Sequence, residues 1–188
     1  MTSSAYLVID LEATCSNDET VPRREMEIIE IGAVMAAADF RPIDEFQTFI
    51  RPVRHPLLTV FCNELTTIRQ NDVDEAPGFA TAISQFKRWL YGHNQDFLFC
   101  SWGDYDRHQL QQDCNFHRLP FPIGANHENV KKRFAAVQNI RKRPGLRTAV
   151  SMAGLEFDGT PHRGITDARN IARLLPFIYG TARLPAAV

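Results

Sequence analysis

The sequence predicts an α/β domain built on a mixed β-sheet flanked by helices. Three strand-like runs come first, at 5–12, 28–38 and 45–50. A helical repeat over 76–91 is followed by another buried strand at 97–101 and by further helical segments. Strands in succession, then helices alternating with strands, give a sheet with both antiparallel and parallel neighbours. At 188 residues the chain suits one domain with a sizeable core, expected to span 1–188.

Each element follows from a local pattern. Residues 5–12, AYLVIDLE, are apolar and β-branched and break into the polar loop 16–25, so they read as a central strand whose end carries Asp10 and Glu12. Residues 28–38 (IIEIGAVMAAA) and 45–50 (EFQTFI) extend it as a meander. Phe79, Ile83, Phe86 and Leu90 recur at three- and four-residue steps, which is helical. FLFCS at 97–101 reads as a buried strand, and a helix runs from about 104 to 114. Between 115 and 145, Pro120, Pro122, Gly124, Pro144 and Gly145 interrupt regular structure, leaving room for a short strand or helix over 130–136. Residues 147–154 and 165–179 read as helices, the second with Ile171, Leu174, Leu175 and Ile178 on its apolar face.

Composition narrows the class. No apolar run reaches the roughly 18 residues of a membrane span. The start, MTSSAYLVID, lacks a basic n-region, so a secretory signal is not expected and the cytoplasm is the expected location. The four cysteines, Cys15, Cys62, Cys100 and Cys114, form no CxxC pair and read as reduced, buried thiols. Net charge is −1, but residues 1–127 hold 10 Lys/Arg against 18 Asp/Glu, and residues 128–188 hold 11 against 4. An acidic pole can hold divalent cations and a basic pole can hold a polyanion.

Three motifs carry chemistry. Asp10 and Glu12 sit two apart at a strand end, so their carboxylates project to one side. Two adjacent carboxylates leaving water call for a cation. Ser101-Trp102-Gly103-Asp104-Tyr105-Asp106 follows a strand and opens a helix. There Asp104 suits an N-cap and Asp106, further in, can turn toward a site. His162 precedes the last long helix, with Asp167 in its first turn; a neutral histidine beside an attacking water can take its proton. Singly, each motif has a structural explanation. Together they make an ordered set of four carboxylates and one imidazole, fit for two divalent ions clamping a phosphodiester. Oxygen ligands suit Mg²⁺.

These residues resemble the DEDD exonucleases with histidine (DEDDh), of the ribonuclease H-like fold. The extended motif Asp10-Leu11-Glu12-Ala13-Thr14-Cys15 resembles the branch holding the histone-mRNA 3′-exonucleases, the enhanced-RNAi exonucleases and bacterial sporulation-inhibitor relatives. Glu27–Val34, Phe49–Pro52, Phe61–Thr66, Ser101–Asp106 and His162–Ala172 agree with that branch, and the similarity spans about 5–178. The resemblance implies a metal-dependent 3′→5′ exonuclease releasing 5′-mononucleotides from single-stranded nucleic acid. RNA is favoured because that branch acts mainly on RNA 3′ ends. By position, Asp10, Glu12, Asp106 and Asp167 would ligate two Mg²⁺, or Mn²⁺, and His162 would be the general base. Ala13, Thr14, Phe61, Cys62, Leu65 and Thr66 would hold the terminal nucleotide, with Phe61 also suited to a core role. The clusters 131–133 and 141–143 would track the phosphate backbone. Thr67 replaces the glycine of many relatives, so that turn is open to difference. No appended RNA-binding module is expected. The alternatives are a DNA-trimming exonuclease on the same fold and a silent nucleic-acid-binding adaptor.

Overall fold

The computed structural model describes residues 5–94, 96–124 and 126–185. Among these residues five strands form one sheet: β1 (Ala5–Ala13), β2 (Ile28–Ala37), β3 (Pro42–Phe49), β4 (Phe97–Ser101) and β5 (His127–Asn129), in the order β3-β2-β1-β4-β5. The first three run antiparallel as a meander, while β4 lies parallel to β1 and β5 parallel to β4. The sheet is therefore mixed, as the sequence predicts. β1 and β2 read as continuous apolar runs because both of their faces are covered. β3 is an edge strand and carries Asp44 and Glu45, charges that discourage pairing with another chain.

Alternation along β1 divides the core. Leu7, Ile9 and Leu11 face α3 (Phe79–Gly92) and α4 (Tyr105–Phe116), meeting Phe79, Ile83, Phe86, Leu90 and Leu110. Tyr6 and Val8 face the other way, onto α5 (Val130–Val137), α6 (Leu146–Met152), α7 (Gly164–Arg173) and α8 (Leu175–Ile178). A smaller cluster of Cys15, Ile29, Cys62, Ile68 and Val73 lies under α1 (Val60–Thr66) and α2 (Gln70–Asp74). Among the described residues no helix is long and apolar enough to cross a membrane.

Four features depart from the sequence expectation or resolve what it leaves open, each with a physical cause. The helix expected over 165–179 breaks at Leu174, because Pro176 at the start of α8 has no N–H to continue the ladder. The segment at 130–136 is the helix α5, preceded by the short strand β5 and capped by Asn129, whose side chain accepts from the Lys132 amide at 3.0 Å. The short helices α1 and α2 appear where no regular element was expected. Local caps hold them: the Thr59 hydroxyl accepts from Cys62 N–H at 3.0 Å, and Asp72 accepts from Arg69 N–H at 2.8 Å. Finally, Thr67 keeps a glycine-type turn, with φ 60° and its N–H on the Asn63 carbonyl at 2.7 Å. The β-branched side chain is there at a steric cost.

A close backbone contact helps to set the placement of α7. Gly32 of β2 and Gly164 at the start of α7 meet backbone to backbone, and a Cβ added at Gly32 would run into the Gly164 carbonyl carbon and the Ile165 nitrogen. Gly32→Ala should therefore lower stability by about 3 kcal/mol or more, or about 6–12 °C in Tm for a domain of this size. Thermal unfolding followed by circular dichroism checks this; an unchanged Tm would contradict the contact.

Candidate active site

The site lies where β1 ends. Asp10 and Glu12 continue the row of Tyr6 and Val8, so they point to the face covered by α7. Across the β1–β2 register Asp10 stands opposite Gly32, and Glu12 opposite Glu30. Lacking a side chain, Gly32 lets the first turn of α7 settle against β1, and a Cβ at Gly164 would lie 2.9 Å from the Asp10 carbonyl oxygen. That approach brings Asp167, in the first turn of α7, and His162, two residues before it, up to the strand end. One ligand atom each from Glu12, His162 and Asp167 lies within 4.8 Å of the others. His162 is exposed and has φ 58°, a left-handed conformation between the loop and the helix.

Asp106 arrives from another direction. Pairing of β1 with β4 ends at Val8 and Cys100, so the Leu11 N–H is free to donate to Asp106 Oδ1 at 3.1 Å. Asp104 takes the N-cap position of α4 but makes no capping bond. Instead its carboxylate accepts from Asn129 Nδ2 at 2.8 Å and Lys132 Nζ at 3.2 Å. Asp106, at 5% exposure, is thus the aspartate of this segment that joins the cluster.

Crowding and burial shift these carboxyls upward. Burial raises Asp10 well above the usual carboxylate range, and Asp106, Glu12 and Asp167 add to it. Glu12 is pushed up to about 9, by burial and then by the charges of Asp167, Glu30 and Asp106. Asp106 rises to about 6 through burial, held back by the Leu11 N–H. Asp167 also rises to about 6 through burial, opposed by the His162 backbone amide. Among the described residues its Oδ1 is buried without a hydrogen-bond partner. Several acids that resist ionising together, with one oxygen aimed at nothing, fit a divalent cation of the oxygen-preferring kind.

The residues expected to hold a nucleotide divide by exposure. Ala13, Thr14, Cys62 and Thr66 are buried. Thr14 Oγ1 accepts from the Glu27 amide at 2.9 Å, Thr66 Oγ1 donates to the Cys62 carbonyl at 2.8 Å, and Cys62 packs in the core beneath α1. Phe61 is partly buried against that core and Leu65 is 37% exposed. The loop after β1 forms a groove of about 630 Å³, lined in part by Arg23, Arg24 and Tyr105. In the basic clusters, Lys132 pairs with Asp104 and Arg133 with Glu128, whereas Arg141, Lys142 and Arg143 are exposed without an ion pair among the described residues. Glu30 falls outside the motif-derived set. Its sequence signal is a lone acid inside the buried run IIEIGAV, which demands a partner.

The exonuclease family RNase_T matches residues 7–175. The chain belongs to this exonuclease family. It is 33% identical over 189 residues to ERI1 exoribonuclease 2 of Homo sapiens, covering 89% of this chain and 27% of that protein. It is 28% identical over 179 residues to the probable 3′-5′ exonuclease KapD of Bacillus subtilis (strain 168), covering 95% of this chain and 86% of that one. The nuclease domain of 3′hExo, a DEDDh family member solved bound to rAMP, superposes with a TM-score of 0.86 at 28% identity, covering 99% and 98% of the two chains. The chain thus spans about a quarter of the length of the human relative. The DEDDh resemblance and the ribonuclease H-like mixed sheet read from the motifs are borne out, and with membership comes divalent-metal dependence.

The raised carboxyls predict how stability responds to pH. Folded Asp106, Asp167 and Glu12 hold protons that an unfolded chain releases near pH 4. Their contribution is complete below about pH 4 and is lost as pH climbs through 6 towards 9. In EDTA, Tm should fall between pH 5 and 9, and Mg²⁺ should restore more of it at pH 8 than at pH 5. A Tm that rises with pH in EDTA would contradict this.

Proposed function

We propose that the chain acts as a single exonuclease domain over 1–188, removing 5′-mononucleotides one at a time from the 3′ end of single-stranded RNA. The observation that carries this reading is the convergence of Glu12, His162 and Asp167 within 4.8 Å at the β1 end, with Asp10 and Asp106 crowded against them. In this reading Asp10, Glu12, Asp106 and Asp167 hold Mg²⁺, with Mn²⁺ as a substitute, and His162 is the general base. When bound, two such ions would supply the positive charge that offsets the scissile phosphate and the departing 3′-oxygen.

The chain's own residues do the rest. His162 is exposed at the mouth of the cluster, where a ring nitrogen can take the proton of an attacking water. The left-handed turn at His162 separates the ring from the helix that carries Asp167, so base and ligand act from neighbouring but distinct backbone positions. Phe61 and Leu65 offer apolar surface to the terminal base, and stacking on an aromatic ring contributes about 1–3 kcal/mol per base. Arg23 and Arg24 in the groove after β1, and Arg141, Lys142 and Arg143 on the loop before α6, suit the phosphates of the upstream strand. The preference for RNA draws support from the ribonucleotide bound in the 3′hExo domain and from the exoribonuclease name of the human relative. The four free, buried thiols suit the cytoplasm.

A gel time course on 5′-labelled single-stranded RNA and DNA of one sequence tests the reading. The expected result is a ladder shortening from the 3′ end, faster on RNA, abolished by EDTA. Asp10→Ala should slow it by roughly a thousandfold or more, equivalent to about 4 kcal/mol of barrier. No shortening of either strand with Mg²⁺ or Mn²⁺ would leave a binding adaptor, and faster shortening of DNA would favour the trimming exonuclease.

A further inference from the structure

Glu30 is fully buried, directly across the β1–β2 register from Glu12. Its carboxylate is occupied by protein donors. Oε2 accepts from Arg163 Nε at 3.0 Å and from the Gly164 backbone N–H at 3.1 Å, while Oε1 accepts from Gln47 Nε2 at 2.6 Å. The Arg163 guanidinium is held on its other side by the Phe49 ring, 5.2 Å from the ring centroid. With these donors in place Glu30 is poorly suited to ligate an ion, although it stands beside the residues that would.

What it holds is the start of α7. The N-cap of that helix is Arg163, whose side chain makes no capping bond. The first N–H groups of a helix need acceptors, and an anion is favoured there by the helix dipole. Glu30 supplies both from a neighbouring strand. His162 lies immediately before the clamped pair, in a left-handed conformation uncommon for a residue other than glycine. Asp167 lies one turn beyond. We infer that Glu30 is a positioning residue: it clamps Arg163 and Gly164 to β2 so that His162 and Asp167 meet Glu12 at the metal site. This inference rests on the exonuclease reading of that site.

Three variants separate reach from charge. Glu30→Ala removes the clamp. Glu30→Asp keeps the charge but falls one methylene short. Glu30→Gln keeps the reach, since its oxygen can serve Arg163 and Gly164 while the Gln47 amide turns over to accept from its nitrogen. Mn²⁺ binding is read by the electron paramagnetic resonance signal of free Mn²⁺, and kcat and KM are measured on single-stranded RNA. Glu30→Ala and Glu30→Asp should weaken Mn²⁺ binding by about tenfold and lower kcat by about a hundredfold, leaving KM for RNA within about threefold. Glu30→Gln, which keeps the reach and loses the charge, should lose clearly less Mn²⁺ affinity and kcat than Glu30→Asp. Folded Glu30→Asp protein with wild-type Mn²⁺ affinity and kcat would overturn the inference, as would a Glu30→Gln loss equal to that of Glu30→Asp. Should Glu30→Ala not fold, the other two variants still decide. Wild-type protein that neither binds Mn²⁺ nor cleaves RNA would instead sink the reading of the site itself.

Discussion

The site depends on one close approach, the backbone contact between Gly32 in β2 and Gly164 at the head of α7. Helices usually stand off a sheet by the thickness of their side chains. Here two glycines remove that spacer, and the first turn of α7 comes down onto the strand pair beside Asp10. The chemical groups on α7 take their position from this contact together with the Glu30 hydrogen bonds to Arg163 and Gly164. Asp167 is one turn in and His162 is just outside, so a shift of the helix would move both away from Glu12 together.

The opposing force is electrostatic. Glu12, Asp106 and Asp167 sit close enough that burial and mutual repulsion hold their protons above the usual range. Such a cluster is unfavourable on its own at neutral pH, and hydrogen bonds relieve only part of it. Leu11 N–H helps Asp106, while Asp167 Oδ1 has no hydrogen-bond partner among the described residues. The fold therefore stores a deficit of positive charge at one point, which is what a site for divalent ions and phosphate requires. The packing of apolar β1 residues against helices on both faces makes the arrangement sustainable, since the cluster is fixed to a strand buried on both faces.

Much of this was legible from residues alone. The apolar runs of β1, β2 and β4 and the repeat Phe79, Ile83, Phe86, Leu90 are strong periodic signals, and they gave the sheet and α3. The spacing of Asp10, Glu12, Asp106, His162 and Asp167 named the cluster. The short helices α1 and α2 were not legible, because seven and five residues are too few for periodicity and only their caps mark them. The break at Pro176 was readable in principle but masked by the apolar face running from Ile171 through Ile178. Local sequence could not show that the hydroxyls of Thr14 and Thr66 are used inside the fold, nor that Glu30 reaches across to Arg163, since partners 133 residues apart leave no trace in spacing.

The central claim is that the four carboxylates and His162 surround one place where divalent ions sit. The most direct measurement is an anomalous difference map from crystals grown with Mn²⁺ and a nucleoside 5′-monophosphate. The account predicts Mn²⁺ peaks bounded by Asp10, Glu12 and Asp167 with Asp106 nearby, and a ring nitrogen of His162 facing the phosphate. A map with no Mn²⁺ peak among these carboxylates, or with His162 turned away from an occupied site, would contradict it.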